Sequence, residues 1–291
     1  MRADTTDPFT GADGDVDIDP GVSAPRGRAA PRNEPPLRPR GSSVRRAPPY
    51  RTPPSLTVIV PAFNEGLGLA PSVERLRAAL APLVDGGQLS GACIVIVDDG
   101  STDDTAEVAE QLAHGDPSTR VVRHPKNRGL GAGIRTGIDQ ADSDLILYCD
   151  ADLPIAPTAL GPALELLHDH RPVLVNGNRV GPRRNGCKRR LYTYAYRRLV
   201  LVALSLRVLD VNCGFKLLPL DMARALRLKS EGSFIDAELL ARADRRGVVI
   251  KELGCRAQPR LAGESSLAST RVILGIFREY WDLRHEIRQA R

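Results

Sequence analysis

Asp150-Ala-Asp152 places two carboxylates two residues apart, directly after the apolar run Leu145 to Cys149. Oxygen donors at that spacing can share a hard divalent cation, Mg2+ or Mn2+, with phosphate oxygens filling the rest of the shell. Other apolar runs end in polar letters too: Pro61-Ala-Phe-Asn-Glu65 after the first and Asp98-Asp99-Gly100-Ser101 after the second. A single acidic pair can equally serve a turn or a helix cap. Acidic ends on several neighbouring strands point instead to one ligand crevice. Gly129-Leu-Gly131-Ala-Gly133 competes as a dinucleotide fingerprint, with Asp150 about 20 residues on. It fails on spacing, because the next glycine is Gly137, and Pro125-Lys-Asn-Arg128 stands where a tight strand-to-helix turn is required. Zinc chemistry is excluded on similar grounds. The five cysteines are scattered, and the histidines form no HExxH.

These side chains need strands to end beside one another. Leu56 to Val60 and Ile94 to Val97 read as strands buried on both faces, with Arg120 to His124 and Leu145 to Cys149 as two more. Helical spacing lies between them at 68–83, 103–114 and 130–141, with Ser101 or Thr102 able to cap the second helix. The alternation implies an α/β fold with a mostly parallel central sheet and helices on both faces, its ligands at the carboxyl ends of the strands. Further on, Arg189 to Leu209 and Phe234 to Arg246 read as helices and Val248 to Leu253 as a strand. Val272, Ile276, Tyr280, Leu283 and Ile287 form an apolar stripe widened by Ile273, Phe277 and Trp281, an amphipathic helix within 268–291.

Composition bounds the rest. Residues 1–54 hold 11 of the 23 prolines and only two aromatics, so they read as a disordered tail ahead of a domain over 55–267. The longest apolar stretch, Leu199 to Leu206, is far below the roughly 20 residues that span a bilayer. The N-terminus lacks the apolar core of a secretory leader, and a reducing cytoplasm is the expected compartment. Residues 55–170 carry 17 acids against 7 bases, whereas 171–209 carry 10 bases and no acid. A metal on one side and an anion on the other would explain that asymmetry.

Ile59-Val-Pro-Ala-Phe-Asn-Glu65, Val97-Asp-Asp-Gly-Ser-Thr-Asp-Asp-Thr105, Asn127-Arg-Gly-Leu-Gly-Ala-Gly133 and Asp150-Ala-Asp152 resemble, in order, the motifs of family 2 inverting glycosyltransferases. Gly177-Asn-Arg179, Asp210-Val-Asn-Cys-Gly-Phe-Lys216 and Arg260-Leu-Ala-Gly-Glu-Ser265 are similar to those of dolichol- or polyprenol-phosphate mannose and glucose synthases. The resemblance implies a nucleotide-diphospho-sugar transferase (GT-A type) fold. It implies that Pro61, Phe63, Glu65, Val97 and Asp99 hold base and ribose, that Asp150 and Asp152 bind the metal, and that Ala151 packs on the nucleotide. Arg179 and Arg260 match arginines near the phosphates of acceptor and donor. Arg189 and Thr193 fit a pair gripping the acceptor phosphate, unless the register shifts to Arg190 and Tyr194. Pro154 stands where mannose synthases carry Gln, and Ser266 where they carry Lys, which leaves the sugar open.

The implied reaction moves a hexose from a nucleotide sugar (GDP- or UDP-linked) to a lipid-linked phosphate. A phosphate monoester is already close to a dianion near neutrality and needs arginines more than a base. A hydroxyl acceptor, soluble or polysaccharide, would need a carboxylate, and Asp236 in Ser233-Phe-Ile-Asp236-Ala-Glu238 is the candidate. Its alternative role is that of an acid at a helix N-terminus. The basic helices could rest on the cytoplasmic face of a membrane or simply pack on the core. Nucleic-acid binding through Tyr192, Tyr194 and Tyr196 would leave the acidic strand ends unexplained.

Overall fold

Every second residue of β1 (Ser55–Ala62) faces the same core, so one strand serves two helical layers. The computed structural model describes residues 53–168, 171–180, 204–258 and 270–289. Leu56, Val58, Val60 and Ala62 pack against Leu69, Val73, Leu76 and Leu80 of α1 (Gly66–Asp85), while Ile59 packs on the opposite layer with Ile134 and Ile138 of α3 (Leu130–Gln140). The split recurs in β4 (Leu145–Cys149): Leu145, Leu147 and Cys149 on one side, Ile146 and Tyr148 on the other. A strand covered on both faces reads as a continuous apolar run, as these do.

Between them lie β2 (Gly91–Asp98), α2 (Thr105–Gly115) and β3 (Thr119–Arg123). After β4 come α4 (Leu160–Leu166), β5 (Val173–Val180), β6 (Phe215–Pro219), α5 (Leu220–Ala225), α6 (Ile235–Arg245), β7 (Val249–Arg256) and α7 (Thr270–Gln289). The sheet runs β3-β2-β1-β4-β6-β5-β7. All pairings are parallel except those of β6, which is antiparallel to β4 and β5. The strand order reverses between β1 and β4, and their carboxyl ends open the crevice where such sheets take ligands.

The expected strands and the helices in 55–141 are all present, within two residues or so at most ends. One expectation changes. The helix Arg189 to Leu209 does not reach Leu209: Ser205 takes φ +57°, and Leu206 to Leu209 are irregular. Leu206 and Val208 are instead inserted into the second core, and the Leu209 N–H donates to Glu252 Oε1 at 2.6 Å. Residues 189–203 lie outside the described residues, as do 1–52 of the expected tail. The apolar stripe of α7 does pack on the core through Ile276, Tyr280, Leu283 and Ile287, with Phe234 and Tyr280 edge to face at 6.1 Å.

The glycines that imitate a dinucleotide fingerprint serve close packing. A Cβ on Gly131 would lie 2.3 Å from the Ser230 carbonyl oxygen, one on Gly129 2.4 Å from that of Glu231, and one on Gly137 2.2 Å from Ile59 Cγ2. Only a bare Cα lets α3 approach β1 and the loop before α6 this closely. Gly131→Ala is therefore expected to destabilise the fold. The helix gains about 1 kcal/mol from alanine, but a clash with rigid backbone costs about 1–3 kcal/mol. A rise in the denaturant midpoint would contradict this packing.

Candidate active site

The loops after β1 and β2 are stitched together by side chains that bond backbone. Asn64, in the left-handed region at φ +55°, accepts the Thr102 N–H on Oδ1 at 2.9 Å, and its own N–H donates to Ser101 Oγ at 3.0 Å. Thr105 Oγ1 accepts the Glu65 N–H at 2.9 Å, and Asp103 accepts those of Gly66 and Thr105 at 3.2 and 3.1 Å. Helix α2 thus starts at Thr105 after Asp104, and neither Ser101 nor Thr102 caps it. The Ser101 hydroxyl is used to hold the neighbouring loop. Phe63 emerges from this seam 43% exposed, a ring face available for stacking, while Pro61 and Val97 are paired in register beneath it.

Asp99 is buried and organises the loop before α3. Its Oδ1 accepts from the Arg128 N–H at 2.9 Å and from His124 Nδ1 at 2.6 Å, and its Oδ2 accepts the Gly129 N–H at 2.7 Å. His124 Nε2 lies 2.9 Å from Thr136 Oγ1, which ties the cluster to α3. The side chain expected to hold a ribose therefore also fixes the Asn127-Arg-Gly loop.

At the end of β4, Asp150 rests on the bare Cα of Gly214. A side chain there would begin 2.0 Å from the carboxyl carbon. Tyr148 donates to Asp150 Oδ1 at 2.6 Å. Burial, then the Asp150 charge, pushes the Tyr148 phenol well above its ordinary value, so it stays a donor. Leu153, at φ +46°, turns the chain back so that its N–H meets the Asp150 carbonyl at 3.0 Å. Ala151 is buried, and Asp150 and Asp152 are half-buried. Among the described residues no three acidic, His or Cys side chains gather as a cation cage. Two carboxylates at an open strand end fit a hard divalent cation that completes its shell with ligand oxygens.

Tyr148, Lys216, Asn176 and Glu252 stand side by side across β4, β6, β5 and β7. Lys216, Asn176 and Glu252 of this row hold the segment 209–213 down on the sheet, while Tyr148 turns to Asp150. Asn176 donates to the Asp210 carbonyl at 2.9 Å. Arg179 forks onto Asp210 at 2.8 and 3.0 Å and reaches the Asn212 carbonyl at 2.9 Å. Burial opposes the Arg179 charge, but Asp210 outweighs it and holds the proton more tightly than usual. Three of its five donors are thus directed at segment 210–212, so any effect of Arg179→Ala would include the loss of this loop support.

Lys216 is fully buried. Its ammonium donates to the carbonyls of Val211 and Cys213 at 3.2 and 2.6 Å and to Asp236 Oδ1 at 2.5 Å, and it lies 5.5 Å from the Tyr148 ring centre. Asp236, in the first turn of α6, is pushed up to about 6 by burial. Lys216 pulls it down and the Asp150 charge raises it further. Glu238, two residues on in the same turn and fully buried, accepts the N–H groups of Lys229 and Ser230 and the Arg242 guanidinium at 2.7 Å, which fixes the loop before α6.

Residues 57–222 match glycosyl transferase family 2. The chain belongs to that family. This family 2 chain is 28% identical over 237 residues to the glycosyltransferase AglD of Haloferax volcanii, covering 78% of itself and 37% of that protein. It is 30% identical over 224 residues to an undecaprenyl-phosphate mannosyltransferase of Micrococcus luteus, covering 72% and 86%. Against AglD and the fungal dolichol-phosphate mannosyltransferases the match spans less than half of the relative's own length. Glucosyl-3-phosphoglycerate synthase of Mycobacterium tuberculosis, solved with Mn2+ and UDP-glucose, shares the fold at TM-score 0.56 and 22% identity over 78% of each chain.

The fold of this family 2 glycosyltransferase brings Pro61, Phe63, Glu65, Val97, Asp99, Asp150, Ala151 and Asp152 to the carboxyl ends of β1, β2 and β4. Arg179 and Asp236 join them from β5 and α6, close enough for their charges to act on one another. Arg189, Thr193 and Arg260 lie outside the described residues. Lys216, Tyr148 and Gly214 were not singled out as site residues from sequence. A lysine inside an otherwise apolar strand, Phe215-Lys-Leu-Leu218, was the available signal, since a buried ammonium must find a partner.

Proposed function

We propose that the chain transfers a hexose from a GDP- or UDP-linked donor to a polyprenyl phosphate, inverting the anomeric centre. The observation that carries the donor half is the placement of Asp150 and Asp152 at the open end of β4, beside the switch between β1 and β4, with Arg179 and Asp236 near enough for their charges to act on Asp150. The Micrococcus relative, matched over 86% of its length, is named for an undecaprenyl-phosphate acceptor, and this supports the lipid half. Residues 171–209, with 10 bases and no acid, suit a phosphate dianion.

In this reading Phe63 offers a stacking face to the base, and Asp99 presents the ribose with its remaining acceptor capacity. Asp150 and Asp152 would hold Mg2+ or Mn2+, which when bound neutralises charge on the diphosphate. Tyr148 and Gly214 fix the Asp150 carboxylate beforehand, so no reorganisation is needed as charge develops. An acceptor phosphate oxygen attacks the anomeric carbon as the bond to the diphosphate breaks, and the nucleoside diphosphate leaves on the opposite face. The donor is water-borne and the acceptor lipid-borne, which sets the enzyme on the cytoplasmic face of a membrane. No helix among the described residues is long and apolar enough to cross one.

One observation favours a hydroxyl acceptor instead. A carboxyl near 6 has the basicity that deprotonating a hydroxyl uses. Product analysis with labelled nucleotide sugars separates the two: the proposal requires an acid-labile glycosyl phosphate on undecaprenyl phosphate, and transfer to hydroxyls alone would overturn it. The nucleotide is identified by a melting panel. With Mn2+ present, UDP or GDP at 100 times its dissociation constant is expected to add about 2.7 kcal/mol of stability. No shift with any nucleoside diphosphate would contradict a donor site.

A further inference from the structure

Helix α7 is apolar on two faces, and only one of them meets the core. Ile276, Tyr280, Leu283 and Ile287 are turned inward. Leu274, Phe277 and Trp281, spaced at i, i+3 and i+7, remain 69%, 41% and 63% exposed. The charges divide along the same line. Glu279 accepts the N–H groups of Glu231 and Gly232 at 2.8 Å each, and Glu286 pairs with Lys229 at 2.7 Å and Arg242 at 3.6 Å. Two of the helix's acids are therefore spent on the loop before α6 and on that helix itself. The outer face keeps Arg278, Arg284 and His285 with a single acid, Asp282, and the Arg284 guanidinium stacks 3.7 Å from the Trp281 ring centre.

We propose that this outer face of α7 docks on an anionic lipid surface, Trp281 and Phe277 entering the headgroup region with Arg278 and Arg284 at the phosphates. Aromatic rings and arginines that straddle an interface are what such a surface takes. Acidic lipid attracts each neighbouring basic residue through its surface potential. A second copy of the chain is a poorer occupant. The three side chains expose on the order of 400 Å², about half of the ~800 Å² per partner that a stable interface buries. Position supports the lipid: Glu279 and Tyr280 hold the loop of Glu231, Gly232 and Phe234, two residues before Asp236. Docking there sets the acceptor end of the site against the membrane. The inference takes its biological sense from the polyprenyl-phosphate reading, but it is tested without it.

Trp281 is the only tryptophan in the chain, so its emission reports on this face alone. The full chain is titrated with vesicles of phosphatidylcholine, with and without phosphatidylglycerol, and followed by fluorescence and co-sedimentation. The expected result is a blue shift and co-sedimentation with the anionic vesicles only, reversed by high salt. Leu274→Gln with Phe277→Gln, both on exposed positions, is expected to weaken vesicle binding more than about tenfold while leaving the melting temperature in place. Arg278→Gln with Arg284→Gln is expected to remove the preference for anionic lipid. Unchanged emission with every vesicle would overturn the proposal. So would a blue shift that depends on protein concentration without lipid, because that marks a second copy. Turnover of a short-chain, water-soluble polyprenyl phosphate by the double glutamine variants separates the two readings. Normal turnover with lost docking is the expected outcome, whereas docking by a chain that never accepts a lipid phosphate would sink the acceptor assignment and leave the surface standing.

Discussion

Asp150→Asn and Asp152→Asn are each expected to lower turnover by at least about 10²- to 10³-fold, the cost of removing a preorganised electrostatic element from a charge-developing transition state. Both positions sit at the open end of β4 and are only half-buried, so the melting temperature should change little. The two substitutions differ in one respect. Asp150 also accepts the Tyr148 hydroxyl, and an amide at that position can still accept it through its oxygen. The loss is therefore one of charge, and it should appear equally in Mn2+ affinity measured without substrate. Gly214→Ala makes the same point from the opposite side, because its Cβ would displace the Asp150 carboxylate without touching its charge. Full activity of the wild-type chain in a strong chelator would remove the basis for all three.

Lys216→Met is expected to cost about 3–5 kcal/mol, the penalty for leaving one partner of a buried ion pair behind. The Asp236 carboxyl then loses the group that draws it down, and its titration moves above about 6. The sign follows from proton counting. A carboxyl raised in the folded state binds more protons folded than unfolded between about pH 4 and pH 6, so stability falls as pH rises through that window. In Lys216→Met the window extends to higher pH, and the acid limb of any activity that needs ionised Asp236 moves to higher pH in step. Adding Asp236→Asn to Lys216→Met should restore most of the stability, because the uncompensated charge is gone. A double-mutant cycle with no coupling would show that the pair contributes nothing.

The chemistry-bearing strand ends were legible because their letters combine two local signals. A doubly covered strand must be apolar throughout, and its polar continuation must then lie at the crevice. Leu56 to Val60 with Pro61 to Glu65, and Leu145 to Cys149 with Asp150 to Asp152, carry that logic without any tertiary information. The Gly129 to Gly137 run was legible as a place of close approach. What approaches it, the carbonyls of Ser230 and Glu231, lies a hundred residues away and leaves no local trace.

Strands β5 and β6 were the harder part of the sheet. Val173 to Val180 turns polar at Asn176 and Arg179, and Phe215 to Pro219 carries Lys216, so neither run announces a buried strand. Their polar letters are tolerated because Lys216, Asn176 and Glu252 fall into register across three strands and bond the backbone of segment 209–213. Local propensity carries no information about such cross-strand partners. The amphipathic period of α7 likewise announced a helix and its stripe, but not which apolar residues would face the core. That was decided by where Glu279 and Glu286 found donors. Apolar periodicity and the spacing of carboxylates are properties of neighbouring residues, and the sequence by itself determined the α/β sandwich and the acidic crevice through them. The pairing of Lys216 with Asp236, the fork of Arg179 on Asp210 and the outward turn of Trp281 were decided only by the tertiary structure, because a buried charge takes its partner from whatever the chain brings within hydrogen-bond reach.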